Sequence, residues 1–218
     1  MSASSAFYFA GYLVGVIAFA AMAWRRKLLT DGVFILMATG LMGGLAGASL
    51  TQRIIAGSAG KTVLGAIISG YLCVFIVKKV MGIKRPLGDL FAVGVCAGEA
   101  VGRFGCFFGG CCYGKLCSAP WAVNQYGAFR HPAQLYLAAA NLAILIVLLA
   151  AERSKPPENF LFYLQGFLYC AARFTIEFFR DSAPTRFGLT MAQFACLCGF
   201  VFFSVKFAQL FHGRKVSI

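Results

Sequence analysis

Charge-free stretches recur along the chain at the length a bilayer demands. Residues 6–24, 32–51, 132–151 and 188–205 each run for 18 to 20 residues without a formal charge, and a helix needs about 20 to cross the hydrocarbon. Residues 62–77 form a shorter apolar run between Lys61 and Lys78, whose long stems can snorkel outward. Two further segments, 87–105 and 160–179, have the length of a span but carry charges within it. The pattern predicts an all-α polytopic membrane protein of about seven transmembrane helices, the fourth and sixth atypical, organised as one transmembrane domain over residues 1–218. The apolar runs are too long and uninterrupted for barrel strands.

Composition agrees with a membrane solvent: 60% of the residues are hydrophobic and 12% charged. The basic residues give an orientation. The links after spans one, three and five, with the C-terminal end, hold Arg25, Arg26, Lys27, Lys78, Lys79, Lys84, Arg85, Arg153, Lys155, Lys206, Arg214 and Lys215, twelve of the twenty. The remaining eight, Arg53, Lys61, Arg103, Lys115, Arg130, Arg173, Arg180 and Arg186, fall on the other side or within the spans. The positive-inside bias therefore predicts an external N-terminus and a cytoplasmic C-terminus. The first five residues carry no basic n-region and the Arg25-Arg26-Lys27 triplet follows the first apolar run, which argues for a retained span over a cleaved signal peptide. The net charge of +13 is mostly this collar. Attraction to anionic lipid accounts for it, and with no motif that reads nucleic acid, no such partner is expected. The polar links 113–131 and 180–187 both fall on the outer side, so the site is expected there.

The stretch closing span four, Gly102-Arg103-Phe104-Gly105-Cys106-Phe107-Phe108-Gly109-Gly110-Cys111-Cys112-Tyr113-Gly114, holds a permanent charge and three cysteines among glycines. A charge at the edge of a bilayer is costly unless it is paired or used. Gly102, Gly105 and Gly114 permit close backbone approach by a helix or a ligand head group; a helix-packing seam is the plainer alternative. Arg173, Glu177 and Arg180, at spacings of four and three, share one helical face. Two guanidiniums against one carboxylate leave a positive surplus for an anion. Glu99 and Arg103, four residues apart, repeat the theme. Guanidinium forks match phosphate oxygens and do not deprotonate, so Arg103, Arg173 and Arg180 read as a phospholipid head-group site, with a structural ion-pair network between spans four and six as the alternative.

His131 precedes span five, with Pro132 at its first helical position and Gln134 and Tyr136 just inside. His212 lies in the C-terminal tail without an evident partner. Cys73, Cys96, Cys170, Cys196 and Cys198 lie within spans and read as small apolar residues. Cys106, Cys111, Cys112 and Cys117 gather at the outer end of span four, where they can form one or two disulfides or supply a nucleophile activated by Arg103. Their spacing matches no common zinc pattern, so neither metal nor cofactor is expected.

Taken together, these elements resemble the bacterial prolipoprotein diacylglyceryl transferases. The family signature Gly-Arg-x-Gly-Asn-Phe-x-Asn-x-Glu-x-x-Gly is met by Gly102, Arg103, Gly105, Phe107 and Gly114. His131-Pro132-Ala133-Gln134-Leu135-Tyr136 is similar to the family's His-Pro-Ser/Thr-Gln-Leu-Tyr element. Arg173 through Arg180 is similar to Arg-Phe-x-x-Glu-Phe-x-Arg, and Leu189-Thr190-Met191-Ala192-Gln193 to its Leu-Ser-Met-Gly-Gln close. Cys106 stands where the signature has asparagine and Cys111 where it has glutamate. The family's His-Gly-Gly element aligns with Leu64-Gly65-Ala66, so its histidine is absent.

The resemblance implies an enzyme of the bacterial cytoplasmic (inner) membrane, acting at the outer leaflet in lipoprotein biosynthesis. It would move a diacylglyceryl group from phosphatidylglycerol to the thiol of a lipoprotein-precursor cysteine, or act as a close paralogue on another acceptor. Catalytic roles then fall to Arg103, Arg173, Glu177, Arg180 and His131. Substrate contacts fall to Gly102, Gly105, Gly114, Gln134, Tyr136, Glu99, Cys106 and Cys111. The other reading is a non-catalytic or thiol-redox membrane protein that keeps the fold and the head-group site.

Overall fold

The computed structural model describes residues 2–56, 62–185 and 187–212. Lys61, Arg186, Arg214 and Lys215, used above for orientation, lie outside the described residues, as do the side chains of Leu64 and His212. Seven α-helices are present among the described residues: α1 (Ala3–Arg25), α2 (Asp31–Ala56), α3 (Val63–Val80), α4 (Gly88–Phe108), α5 (Ala133–Glu152), α6 (Phe160–Glu177) and α7 (Met191–His212). By length and composition α1, α2, α4, α5 and α7 are fit to cross a membrane. The helical polytopic architecture read from the apolar runs is the observed one, and α4, expected to be atypical, is among these five.

The chain divides into two compact units, Met1–Phe19 with Leu87–Ile218, and Ala20–Pro86. The second unit is built on an α2–α3 hairpin. Small residues let the two backbones close up: a Cβ on Gly43 would lie 2.7 Å from the Cys73 Sγ, and one on Gly70 3.1 Å from the Gly40 carbonyl oxygen. Asp31 in the first turn of α2 and Lys78 and Lys79 in the last turn of α3 suit the helix dipoles.

The first unit holds every candidate site residue of the described chain. Helices α1 and α4 meet in a double glycine seam. Gly11 and Gly15 face Gly94 and Gly98, and a Cβ on Gly11 would sit 2.8 Å from the Gly98 carbonyl oxygen, one on Gly94 2.9 Å from that of Gly15. Neither helix can carry side chains there without separating. On α5, Leu137, Asn141, Ile144 and Leu148 are buried while Leu142, Ile146 and Leu149 face outward, the stripe expected of a helix between protein and lipid. Asp89, at the start of α4, is buried and accepts the backbone N–H groups of Asn159 (3.1 Å) and Phe162 (3.0 Å). It thus satisfies orphan donors at the start of α6.

One local expectation is refined and one corrected. The link 113–131, read only as polar, holds a hairpin: β1 (Val123–Gln125) and β2 (Ala128–Arg130) pair antiparallel around Tyr126 and Gly127, both at positive φ, a two-residue turn. Pro132 is the N-cap of α5 and not its first helical residue; its ψ of 67° lies outside the helical region, and α5 starts at Ala133.

Candidate functional site

The arginines enter from three elements. Arg103, in the last third of α4, is buried. Its Nη2 donates to Glu99 Oε1 at 3.0 Å and to the Tyr169 hydroxyl at 3.5 Å, which ties α4 to α6. Glu99 also accepts from Asn141 Nδ2 of α5 at 3.2 Å. Tyr169 lies within Coulombic reach of both Arg103 and Arg173.

The second half centres on Glu177, the buried last residue of α6. Its Oε2 accepts from Arg173 Nη1 and, at 3.2 Å, from Arg180 Nη1. Helix α6 ends before Arg180, sooner than the apolar pattern indicates, but a further turn with the Arg180 N–H on the Glu177 carbonyl at 3.1 Å keeps Arg180 on the same face. Glu177 Oε1 accepts from Thr190 Oγ1 at 3.1 Å. Thr190 in turn takes the Gln193 N–H at 3.2 Å while Gln193 Oε1 takes the Thr190 N–H at 2.9 Å. This is a capping box at the start of α7. Three guanidiniums therefore meet two carboxylates, and Arg180 Nε has no hydrogen-bond partner among the described residues.

The turn after α4 closes as a Schellman motif. Gly110, at φ 64°, donates its N–H to the Phe107 carbonyl (3.2 Å), and the Cys111 N–H reaches the Cys106 carbonyl (3.1 Å). That closure lays the residue two past the cap over the one three before it, so Cys111 sits over Cys106. Cys112 is also left-handed, φ 61°, which a non-glycine residue adopts only at some cost. The thiols of Cys106, Cys111 and Cys112 consequently lie within 4.8 Å of one another. Tyr8 of α1 donates to Cys106 Sγ at 3.4 Å, and its hydroxyl lies 3.7 Å from Cys111 Sγ. Hydrogen bonds from the Cys106 and Cys111 thiols, with Arg180 and Arg103 nearby, hold the Cys112 thiol well below the ordinary thiol range, burial opposing them. Hydrogen bonds to Cys106 and Cys112, with burial, push Cys111 the other way. Cys117 lies apart, its Sγ accepting the Ala119 N–H at 3.3 Å.

Gly114 stands where three strands of backbone meet. It donates its N–H to the His131 carbonyl at 3.0 Å and pairs with Arg180 in a β-bridge. A Cβ there would collide with the His131 backbone and lie 2.7 Å from the Phe179 carbonyl oxygen. Gly105 makes room for the Tyr8 ring, 2.9 Å from where its Cβ would be, while a Cβ on Gly102 would meet nothing within 4 Å. Gln134 is buried and donates to the Cys111 carbonyl at 2.7 Å. His131 Nδ1 lies 3.1 Å from the Tyr136 hydroxyl, which also accepts from Trp121 Nε1 at 2.8 Å. The His131 ring packs edge-on against Phe179.

The site so assembled joins Arg103, Glu99, Arg173, Glu177, Arg180, Gln134, Cys106 and Cys111 through direct contacts or single neighbours. His131 and Tyr136 form a separate pair against Phe179. Tyr8, Asn141 and Tyr169 were not singled out from sequence, and Thr190 was named only within the Leu189–Gln193 element. For Thr190 a signal existed, the Thr-x-x-Gln spacing of a capping box.

A polytopic helical membrane protein with a buried network of arginines and carboxylates is the class these features define. Residues 3–208 match the family model described as prolipoprotein diacylglyceryl transferase, and the chain belongs to that family. Relatives named phosphatidylglycerol–prolipoprotein diacylglyceryl transferase include one from Campylobacter curvus, 35% identical over 144 residues, 63% of this chain and 53% of the relative. One from Dehalococcoides mccartyi is 32% identical over 154 residues, 66% of this chain and 59% of the relative. A longer match, to Clostridium tetani, is 28% identical over 211 residues, 86% of this chain and 84% of the relative. The chain thus spans between 53% and 59% of the length of the first two relatives.

Proposed function

We propose that this protein transfers a diacylglyceryl group from phosphatidylglycerol to the cysteine thiol of a lipoprotein precursor, at the outer leaflet of the bacterial cytoplasmic membrane. One observation carries the reading: three half-buried or buried guanidiniums, Arg103, Arg173 and Arg180, are held by only two carboxylates, Glu99 and Glu177. One positive charge is left for a ligand, and a phosphodiester head group carries one negative charge.

The reaction is a displacement at a glycerol carbon. The acceptor thiol gives its proton to water, its sulfur forms a bond to that carbon, the carbon–oxygen bond to phosphate breaks, and its electron pair ends on glycerol phosphate. Charge grows on the departing phosphate. Fixed cations aimed at developing charge contribute more than those that must reorganise. Arg173 and Arg180 are fixed by Glu177, and Arg103 by Glu99 and Tyr169. Glu177, held by Thr190, acts as a positioning residue for the arginines. His131, paired with Tyr136, lies at the end of the outer link and would meet the acceptor peptide there.

Complementation of a conditional transferase-deficient bacterium tests this. A diacylglyceryl mass shift on a lipoprotein precursor is expected with the wild-type chain and lost with Arg173→Ala. Good expression with no shift removes the reading.

A further inference from the structure

We propose that Cys106, Cys111 and Cys112 bind one zinc ion, and that its open fourth position takes the thiolate of the acceptor cysteine. The second half of this proposal rests on the transferase reading; the first does not.

Three thiols converge within 4.8 Å of one another. Three thiolates on one tetrahedral zinc, at about 2.3 Å each, stand about 3.8 Å apart, so small side-chain rotations close the set. The linear spacing conceals this. Cys-x4-Cys-Cys matches no common zinc pattern, but the Schellman closure carries Cys111 back over Cys106, and the left-handed backbone at Cys112 turns the third thiol to the same place. Softness of the donors selects a thiophilic ion over magnesium or calcium.

Charge fits as well. Three thiolates and Zn²⁺ sum to one negative charge, and Cys112 lies within Coulombic reach of the Arg180 and Arg103 guanidiniums. A catalytic zinc keeps three protein ligands and an open position. Cys111 is exposed while Cys106 and Cys112 are half-buried, so an acceptor thiol can reach the set from the Cys111 side. Tyr8 closes another side, its hydroxyl 3.4 Å from Cys106 Sγ.

The function of such an ion follows from the chemistry of a bound thiol. A thiol that coordinates zinc loses its proton outright. The acceptor S–H would release that proton to water, and the bound sulfur would then supply the electron pair for the new S–C bond while phosphate departs toward the arginines. No oxidant or reductant is consumed.

The test uses the full chain, purified in detergent under reducing, anaerobic conditions and loaded with Zn²⁺. Elemental analysis is expected to give one zinc per chain, and X-ray absorption three sulfurs at about 2.3 Å. Cys106→Ser, Cys111→Ser and Cys112→Ser should each weaken zinc binding at least tenfold, with Cys117→Ser unchanged. Chelation of the wild-type chain provides the same loss without a substitution that risks misfolding. Adding a cysteine-containing precursor peptide should raise the sulfur count to four. Absence of stoichiometric zinc while the three thiols titrate as free overturns the site. So does full zinc retention in Cys112→Ser. A sulfur count that stays at three with peptide bound overturns the acceptor role. Thioether formation at full rate by the zinc-free chain also removes that role and leaves the transferase reading intact. Four sulfurs without any thioether product keeps the site and removes the transferase reading.

Discussion

The corner where α6 meets α7 and the turn after α4 build the two sides of one site by opposite means. At the corner, side chains do the holding: Glu177 accepts from Arg173, Arg180 and Thr190, and Thr190 is itself locked in a reciprocal cap with Gln193. At the turn, backbone does the holding. Two carbonyl-directed bonds and two left-handed residues set the path, and the thiols are left with weak sulfur contacts. A corner fixed by its own charges tolerates little change in them. A turn fixed by backbone lets the side chains it presents, Cys106 and Cys111 among them, be exchanged.

The strongest way to break the corner is Glu177→Ala. It strands two guanidiniums beside each other in a buried place, and removing one partner of a buried ion pair costs about 3–5 kcal/mol. Loss of transfer together with a large drop in the detergent melting temperature is expected; a melting temperature equal to wild type would show that the corner does not depend on charge. Arg173→Lys asks a sharper question. A point charge keeps the sign and loses the fork, so transfer should fall by about 10²-fold with little change in melting temperature. An unchanged rate in single-turnover assays of thioether formation would mean that only net charge matters there.

Gly110→Ala probes the turn. A side chain at φ 64° costs about 1–2 kcal/mol, and its Cβ would sit 2.7 Å from the Tyr126 hydroxyl. The alkylation rates of Cys106, Cys111 and Cys112 should rise together, read by mass spectrometry, while binding of a phosphatidylglycerol analogue at the corner changes by less than threefold. Thr190→Val removes the cap acceptor and one bond to Glu177, for about 1 kcal/mol and a melting shift of a few degrees. Cys117→Ser should alter neither measurement, because its thiol touches only the Ala119 N–H.

Local spacing carried most of what the sequence disclosed. The helices follow from apolar runs, and the Arg173–Glu177–Arg180 arrangement follows from steps of four and three along one face. Glu99 and Arg103 are legible for the same reason. Residues supplied from far along the chain were not. Tyr8 reaches the thiols from α1, Asn141 reaches Glu99 from α5, and Asp89 caps α6 from the start of α4. Nothing in the sequence near any of them signals its partner. The thiol convergence belongs in between. Gly110 after a helical run is a local C-cap signal, but the consequence for Cys111 appears only once the closure is drawn in three dimensions. The three-residue strands at 123–130 were too short to compete with the surrounding polar link.

The glycine seam between α1 and α4 has a consequence in time. Gly11 and Gly15 leave the ribosome roughly eighty residues ahead of Gly94 and Gly98, and at about 5–20 residues per second the first helix waits roughly 4–16 s for its mate. During that interval a smooth, side-chain-free flank of α1 lies against acyl chains or the insertion machinery, which cannot fill it as a facing backbone does. Filling the groove, as in Gly11→Leu, should therefore reduce the yield of assembled protein made by the cell more than it weakens the protein that does assemble. Yield of membrane-inserted chain set beside the melting temperature of the purified fraction separates the two, and a loss confined to melting temperature would place the seam's importance after assembly instead of during it.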